Sequence, residues 1–277
     1  MILIADSGST KTTWCLPDEN AGWESCTTSG INPFFLEGED IVRLLRTEFS
    51  LAREGITSVR FYGAGCALPE KKRIVAEALA ACFDVADIAV YSDLLAAAHS
   101  LCGNSPGIAC ILGTGSNSCR YDGQEIVQNV SPLGFILGDE GSGAVLGRKL
   151  LSGVLKNQFP ASLREAFFAS YPATVAEILE NVYRKPFPNR YLAQYARFIA
   201  SHSDVPEMRK LLHDSFCEFF QKNVMQYAQA CHFPVHFTGS IAFFFREHLV
   251  RAAQSFGLTV GKISAEPMPG LIKYYQP

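Results

Sequence analysis

Short apolar runs alternate with glycine-containing turns at the start of the chain. Residues 2–6 (ILIAD) are four apolar residues followed by an aspartate. A turn of small and hydroxylated residues comes next, and the apolar pattern returns at residues 12–16 (TTWCL). Runs of this length on either side of such a turn predict the two strands of a hairpin. Residues 107–120 (GIACILGTGSNSCR) repeat the arrangement. The repeat indicates two related halves, each beginning with a strand, a glycine-rich turn and a second strand.

Longer segments between these hairpins carry helical periodicity, with apolar residues three and four positions apart. They predict helices over residues 40–55, 69–83, 94–103, 138–155, much of 162–231, and 241–257. Apolar runs that end in turns predict further strands over residues 58–65, 88–93 and 234–240. The aromatic groups at residues 34–35 and 243–245 predict core positions. Strands that alternate with helices in this way indicate an α/β protein.

The segment Gly103-Asn104-Ser105-Pro106-Gly107 is the strongest break in the pattern. It predicts a domain boundary, with one domain over residues 1–104 and the other over residues 105–277. We expect the last helix of the chain to pack back on the N-terminal domain. Each domain then holds one of the two glycine-rich hairpins.

Composition narrows the class of protein. The 277 residues are 48% hydrophobic and 18% charged, with a formal net charge of −3, so nothing predicts a nucleic-acid or membrane partner. The N-terminus lacks the basic and long apolar regions of a signal peptide, which favours the cytoplasm. Nine cysteines occur without any CxxC pair, so free thiols are favoured over a zinc site or a thioredoxin-like motif.

The two glycine-rich turns are candidate phosphate loops. We call residues 6–12 (DSGSTKT) the first loop and residues 113–116 (GTGS) the second loop. The first loop has neither the adjacent Gly-Lys of a Walker A motif nor the glycine spacing of a dinucleotide fingerprint, and alone it is also typical of an ordinary hairpin turn. Backbone N–H groups in such turns bind anions without side-chain bulk. Two such turns at matching points therefore favour phosphate binding.

These motifs resemble those of the acetate and sugar kinase/Hsc70/actin superfamily. DSGSTKT looks like its first phosphate loop, ILGTGSNS like its second, and VHFTGSIAFFF like its adenosine segment. GTGSN, GDEGSG and the Ser-Asp at residues 92–93 are most similar to the N-acetylglucosamine kinase and BadF/BadG/BcrA/BcrD ATPase family. The resemblance implies two ribonuclease-H-like domains with an ATP cleft between them.

The resemblance also implies a role for particular residues. The nucleotide would contact Ser7, Gly8, Ser9, Thr10, Lys11, Thr12, Gly113, Thr114, Gly115, Ser116, Gly239 and Ser240. Asp6 would hold Mg²⁺, and Asp93 would be the general base that takes the proton of a sugar hydroxyl. The sugar would contact Asn32, Asn117 and Asp139. Turn formation and helix capping remain open for Asp6, Asp93, Asn32 and Asp139, and a solvated position on the hairpin remains open for Lys11.

The implied activity is that of an ATP-dependent amino-sugar kinase acting with Mg²⁺ on N-acetylglucosamine. Residues 131–134 (SPLG) depart from the Gly-Gly-Trp-Gly of the family kinase, so Leu133 replaces an aromatic residue of the sugar pocket. Glucosamine and N-acetylmuramic acid or its anhydro form therefore remain open as substrates. The motifs are also compatible with a BadF-type ATPase that acts on a protein partner, or with a sugar sensor that has lost catalysis. The cysteines do not match an iron–sulfur site, and the resemblance implies a homodimer.

Overall fold

The structure of the protein is a computed structural model that describes residues 1–8, 10–17 and 22–276. Ser9 of the first loop lies outside the described residues. The chain divides into two compact units. Unit 1 comprises Met1–Asn104 and Pro267–Pro277, and unit 2 comprises Ser105–Glu266.

Strands and short helices alternate along the chain. The strands are β1 Ile2–Ser7, β2 Lys11–Pro17, β3 Trp23–Ser29, β4 Ser58–Gly63, β5 Asp87–Ser92, β6 Gly107–Leu112, β7 Ser116–Tyr121, β8 Ile126–Val130, β9 Val235–Thr238 and β10 Val260–Ser264. The helices are α1 Gly38–Glu48, α2 Pro69–Ala80, α3 Asp93–Cys102, α4 Gly134–Leu137, α5 Gly143–Leu155, α6 Ala161–Ser170, α7 Val175–Tyr183, α8 Pro188–Ala193, α9 Ala196–Ser201, α10 Pro206–Lys222, α11 Ser240–Phe244, α12 Arg246–Gln254 and α13 Met268–Tyr275. Two 3₁₀ turns lie at Val224–Gln226 and Ala230–His232. None of the helices within these described ranges is long and apolar enough to cross a membrane.

The sheet of unit 1 has the strand order β3-β2-β1-β4-β5. β1 pairs with β2 and β2 with β3 in antiparallel register, whereas β1 pairs with β4 and β4 with β5 in parallel. A core of apolar side chains packs α1 and α2 against this sheet, and Trp14 is fully buried within it. A smaller cluster joins α3 and α13 to the sheet, and contains Tyr62 and Leu271.

The sheet of unit 2 repeats this order as β8-β7-β6-β9-β10. β6 pairs antiparallel with β7, β7 antiparallel with β8, and β6 and β10 each pair parallel with β9. Helices α5 to α10 and α12 contribute to its apolar core, where Phe216, Phe219 and Phe237 are fully buried. Each unit therefore begins with an antiparallel hairpin. The first strand of that hairpin also pairs, on its other side, with a parallel strand.

Strands with few buried side chains escaped the sequence prediction. β3 (WESCTTS) is mostly exposed, and β8 and β10 also have little burial. Each of the three lies at an edge of its sheet. An edge strand of an antiparallel or mixed sheet has less apolar surface to bury, so its sequence lacks the alternating pattern that identifies a strand.

Several predicted helices have different bounds in the structure; the one predicted over residues 138–155, for example, begins only at Gly143. The helix predicted over residues 40–55 ends at Glu48, because Phe49 turns into extended backbone and packs edge-on against Trp14, with ring centroids 5.4 Å apart. Arg53 donates from Nη2 to the carbonyl of Leu45 at 3.2 Å and so satisfies the helix end. The helix predicted over residues 241–257 is divided into α11 and α12 at the buried Phe245.

The prediction that both aromatic groups lie in the core was wrong in part. Phe34 and Phe35 are exposed, and so is most of the Phe244 ring. Only Phe245 of the second group is buried in the core of unit 2. A run of aromatic letters in the sequence does not distinguish a core position from a turn, because the turn at Phe34 is set by polar contacts of its neighbours.

Candidate functional site

Unit 1 aligns three candidate segments along one edge of its sheet. Ser7, Gly63 and Ser92 are neighbours across the parallel strands β1, β4 and β5, in direct register. The carboxyl ends of parallel strands lie at the same edge of a sheet, which is where open α/β sheets bind ligands. The first loop, the turn after β4 and Asp93 after β5 therefore lie side by side in unit 1.

The first loop is held by buried hydroxyl groups. The Ser7 and Thr12 hydroxyls lie 2.7 Å apart, and Ser7 Oγ also donates to the Ile31 carbonyl at 3.0 Å and accepts the Ile31 N–H at 2.9 Å. The Gly8 N–H donates to the Lys11 carbonyl at 3.0 Å and closes the turn. Both hydroxyls are fully buried, so they fix the loop and are not exposed to a ligand. Thr10 and Lys11 at the tip are exposed.

The same hydroxyl contacts position Asn32, which follows Ile31. Asn32 Oδ1 accepts the Phe34 N–H at 3.0 Å, the Asx turn that is typical of an Asn before a turn. The turn lies against Gly65, and Lys71 of α2 donates from Nζ to the Pro33 carbonyl at 2.8 Å. Among the described residues, Asn32 Nδ2 has no acceptor, so this donor is available to a ligand.

Asp93 is the first residue of α3, and Ser92 is its N-cap because the Ser92 side chain accepts the Leu95 N–H. Helix capping was an alternative role for Asp93, but Ser92 fills that role instead. Asp93 Oδ1 accepts the Leu94 N–H at 2.9 Å. Burial raises the pKa of the Asp93 carboxyl above its ordinary value, against the lowering effect of this hydrogen bond. A carboxylate with a raised pKa suits a general base.

Cys66 lies near Asp93 but does not supply a nucleophile. Burial raises the pKa of its thiol to about 12, and the charge of Asp93 contributes to the rise. The thiol therefore stays protonated at neutral pH, and a protonated thiol is unreactive. It provides an uncharged, apolar wall beside the carboxylate of Asp93.

Asp6 is the candidate ligand for Mg²⁺. It is half-buried at the carboxyl end of β1. Over the described ranges, no group of three or more His, Cys, Asp or Glu side chains could hold a metal ion. A single carboxylate nevertheless fits Mg²⁺ in a nucleotide site, because that ion keeps several waters and takes phosphate oxygens as ligands.

The second loop in unit 2 has free backbone donors. The Gly113 N–H donates to the Gly115 carbonyl at 2.9 Å, which closes the turn between β6 and β7. In the described part of the chain, the N–H groups of Thr114 and Gly115 have no acceptor. The Gly113 and Thr114 carbonyls accept N–H groups from the start of α5, at 2.8 and 3.1 Å. Two adjacent N–H groups without acceptors in a closed turn are candidate donors to an anion such as phosphate.

Asp139 contacts this loop. Its Oδ1 accepts the Ser116 N–H at 3.1 Å, and a Cβ placed on Gly115 would stand 3.0 Å from its Oδ2. Burial raises the pKa of Asp139, the hydrogen bond from Ser116 lowers it, and the charge of Glu140 raises it. The N-cap of α5 is Ser142, so Asp139 does not cap that helix.

Asn117 lies on β7 just after the second loop. Its Oδ1 accepts the Ser118 N–H at 2.9 Å and the Asn129 side-chain N–H at 3.0 Å. The carbonyl oxygen of its side chain is therefore occupied within the protein. Only its Nδ2 has no acceptor within the described ranges, so Asn117 can act on a ligand as a donor.

The turn at Gly239 adjoins the second loop. Thr238 pairs with Ile111 across β9 and β6, so the two strand ends coincide. Gly239 has a φ of +112°, and a Cβ there would stand 2.3 Å from the Leu112 carbonyl oxygen. Only glycine fits this position. Ser240, the first residue of α11, is exposed beside it.

Each unit thus groups part of the predicted site. Unit 1 brings Asp6, the first loop, Asn32 and Asp93 to one strand edge. Unit 2 brings the second loop, Asn117, Asp139 and the turn at Gly239 to another. Two supporting residues, Gly65 and Lys71, are not among the site residues predicted from the sequence. The Gly63-Ala64-Gly65 turn was the available signal for the first of them, since a closely spaced glycine pair after a strand indicates a close backbone approach.

The repeated strand order and the paired hairpin loops define an actin-like ATPase fold. A solved MreB of Spiroplasma citri with bound AMPPNP shares it, with a TM-score of 0.59 and 9% sequence identity over 99% of this chain and 94% of that one. The chain belongs to the BadF/BadG/BcrA/BcrD ATPase family, whose model matches residues 5–207.

Solved structures include a much closer relative. A Porphyromonas gingivalis protein described as a candidate N-acetylglucosamine kinase is 50% identical, with a TM-score of 0.94 over 99% of this chain and 98% of that one. A second protein with that description, from Chromobacterium violaceum, is 18% identical with a TM-score of 0.75 over 99% of this chain and 98% of that one. No curated protein matches the chain.

Proposed function

We propose that the protein is an ATP-dependent kinase that phosphorylates a hydroxyl group of an amino sugar, with N-acetylglucosamine as the first substrate to test. The observation that carries this proposal is the position of Asp93 at the same strand edge as the first loop. A base for the acceptor hydroxyl and a loop for phosphate are the two elements that phosphoryl transfer requires side by side. The 50% identity to the Porphyromonas protein supports the sugar as acceptor.

In the proposed reaction, the second loop donates the Thr114 and Gly115 N–H groups to ATP phosphate oxygens. Lys11, exposed at the tip of the first loop, supplies positive charge for the phosphates. Asp6 would hold Mg²⁺, which neutralises phosphate charge when bound. Asp93 accepts the proton of the sugar hydroxyl as that oxygen attacks the γ-phosphate, and the bond from the γ-phosphorus to the bridging oxygen breaks and releases ADP.

The sugar would be held by polar side chains that offer it two donors and one acceptor. Asn32 Nδ2 and Asn117 Nδ2 can each donate to a sugar oxygen, and Asp139 Oδ2 can accept from a hydroxyl. Both asparagine side chains have their carbonyl oxygens fixed by the protein. Their orientation is therefore set before a ligand binds, which favours recognition of one stereochemistry.

The test is ADP release with Mg²⁺, measured alone and with N-acetylglucosamine, glucosamine, N-acetylmuramic acid or glucose. Stimulation by one amino sugar together with the matching sugar phosphate supports the kinase. Asp93→Asn should lose most turnover, by about 10²-fold or more, while it retains ATP binding. Asp87→Asn is the matched control, because Asp87 begins the same strand and pairs with Arg60 on the surface.

A second candidate function is ATP hydrolysis that acts on a protein partner. It is favoured by the exposed apolar side chains of Leu133, Ile136 and Leu137, which are 62%, 72% and 75% exposed. Clustered exposed apolar residues mark interaction surfaces more often than isolated ones do. ATP hydrolysis that is indifferent to every sugar would contradict the kinase and support this candidate.

A further inference from the structure

Glu140 is a largely buried acid beside a candidate site, with no role in the chemistry above. It follows Asp139 directly, and only 12% of its side chain is exposed. A carboxylate in such surroundings needs partners, since an unpaired buried charge is costly. Both of its oxygens have one, and both partners lie at the end of α10.

The partners of Glu140 are Asn223 and Lys222. Asn223 donates from Nδ2 to Glu140 Oε2 at 3.3 Å, and Lys222 Nζ lies 3.4 Å from Glu140 Oε1. Asn223 is 5% exposed, and its Nδ2 also donates to the Phe219 carbonyl in the last turn of α10. The end of α10 therefore holds the side-chain amide of Asn223 in place, and this amide in turn holds the carboxylate of Glu140.

The loop that carries Glu140 adopts a backbone that needs such support. Asp139 has a φ of +53° and Gly141 a φ of +71°. A non-glycine residue in the left-handed region is strained, and it persists where its surroundings hold it there. Gly141 packs on α10 as well, because a Cβ there would stand 3.1 Å from the Cβ of Phe219.

Asp139 in turn holds the second loop. Its Oδ1 accepts the Ser116 N–H, and its side chain lies against Gly115, one of the two second-loop residues whose N–H groups have no acceptor among the described residues. A chain of contacts thus runs from α10 through Glu140 and Asp139 to the loop.

We propose that Glu140 is a positioning residue: its anchor at the end of α10 keeps the Asp139 carboxylate against the second loop. The role of this loop in phosphate binding rests on the proposed function, but the contact chain does not. If Glu140 moves, the Ser116 N–H loses its acceptor and the loop loses the side chain that fixes Gly115.

The test compares three variants of the full-length protein. Glu140→Gln keeps an oxygen for Asn223 but loses the charge, and Asn223→Ala removes the buried donor. Glu218→Gln is the matched control, because it breaks the 2.7 Å pair with Lys149 that joins α10 to α5 elsewhere. Each variant is first checked for a cooperative thermal transition. If Asn223→Ala does not fold, the more conservative Glu140→Gln still decides the question.

The first measurement is amide hydrogen exchange over residues 113–118, which requires no activity. We expect exchange at least fivefold faster in Glu140→Gln and Asn223→Ala, and within twofold of the parent in Glu218→Gln. Unchanged exchange in the folded Glu140 variant, or an equal increase in Glu218→Gln, would overturn the proposal.

The second measurement is steady-state kinetics with N-acetylglucosamine and ATP. We expect both KM values to rise about fivefold or more in the Glu140 and Asn223 variants, and neither to rise in Glu218→Gln. If the parent protein phosphorylates no sugar, the proposed function fails while the exchange result still decides the role of Glu140. If the parent is active and the KM values stay unchanged in both variants, the positioning role is wrong.

Discussion

The carboxamide of Asn32 lies directly against Gly65, so that a Cβ on Gly65 would stand 2.5 Å from Asn32 Oδ1. Gly65 also has a φ of +81°, a conformation that L side chains rarely adopt. The glycine therefore permits both the turn after β4 and the approach of Asn32 to the strand edge that carries Asp93.

Gly65→Ala should displace the Asn32 carboxamide. We expect the KM for the acceptor sugar to rise about tenfold or more and the KM for ATP to change little, since the three atoms nearest to this methyl group belong to Asn32 and Phe34. Gly103→Ala is the control, because Gly103 also has a positive φ, of +62°, but open space around it. Equal effects of both substitutions on the sugar KM would contradict a specific contact with Asn32.

Asp93→Asn should stabilise the fold at neutral pH. The pKa of Asp93 is raised in the folded state, so folding favours its protonated form and the contribution to stability is lost as pH rises above about 4. The amide cannot ionise and escapes this loss. We expect a higher Tm than the parent at pH 7 and no difference near pH 3, by calorimetry across pH. A lower Tm for Asp93→Asn at pH 7 would show that burial does not raise the pKa of this carboxyl.

Gly239→Ala should damage unit 2. The added Cβ would meet the carbonyl oxygen of Leu112 at 2.3 Å and its carbon at 2.7 Å, and backbone atoms there have little room to move. Strain and overpacking together predict a loss of roughly 3 kcal/mol in the free energy of unfolding and weaker ADP binding. Gly257→Ala is the control for the strain of a positive φ alone, because Gly257 has a φ of +67° and open space around it. Denaturant titration and calorimetric binding measure both effects.

His99 should make the free energy of unfolding depend on pH in the acid range. Burial lowers its pKa to about 4, and its Nδ1 lies 2.7 Å from the Tyr62 hydroxyl. The His99 side chain binds a proton near pH 6.5 in the unfolded chain but only near pH 4 in the folded one. The free energy of unfolding therefore falls as pH drops between these two values, by roughly 3 kcal/mol at most. His99→Gln should flatten this slope, whereas His232→Gln at an exposed position should keep it. An unchanged slope in His99→Gln would assign the acid sensitivity elsewhere.

The fold could be predicted where burial leaves a pattern in the sequence. The central strands β1, β4, β6 and β9 are apolar runs ending in turns, and the sequence predicts each of them. The edge strand β3 is not predicted, since its exposed side chains carry no alternation. The break at Phe245 also has no local signal, because it is the packing of that ring in the unit 2 core that ends α11.

For the candidate site, the sequence identified residues but not how they are held. The hydroxyls of Ser7 and Thr12 belong to the first loop by sequence, yet the structure turns both inward to Ile31. Glu140 and Asn223 are 83 positions apart, and Gly65 and Asn32 also meet only through the sheet and its turns. Such contacts depend on tertiary packing, which no short motif encodes.

The last helix, α13, belongs to unit 1 although unit 2 precedes it in the chain. It packs on α3, where Gly270 approaches Ser100 closely, and Tyr275 bonds Tyr62 through their hydroxyls at 2.6 Å. During synthesis on a ribosome, the first hundred residues therefore emerge long before the segment that covers Tyr62, while unit 2 is contiguous. The nascent chain can complete its second unit first, and the unit that carries Asp93 acquires α13 only after all of unit 2 has been synthesised.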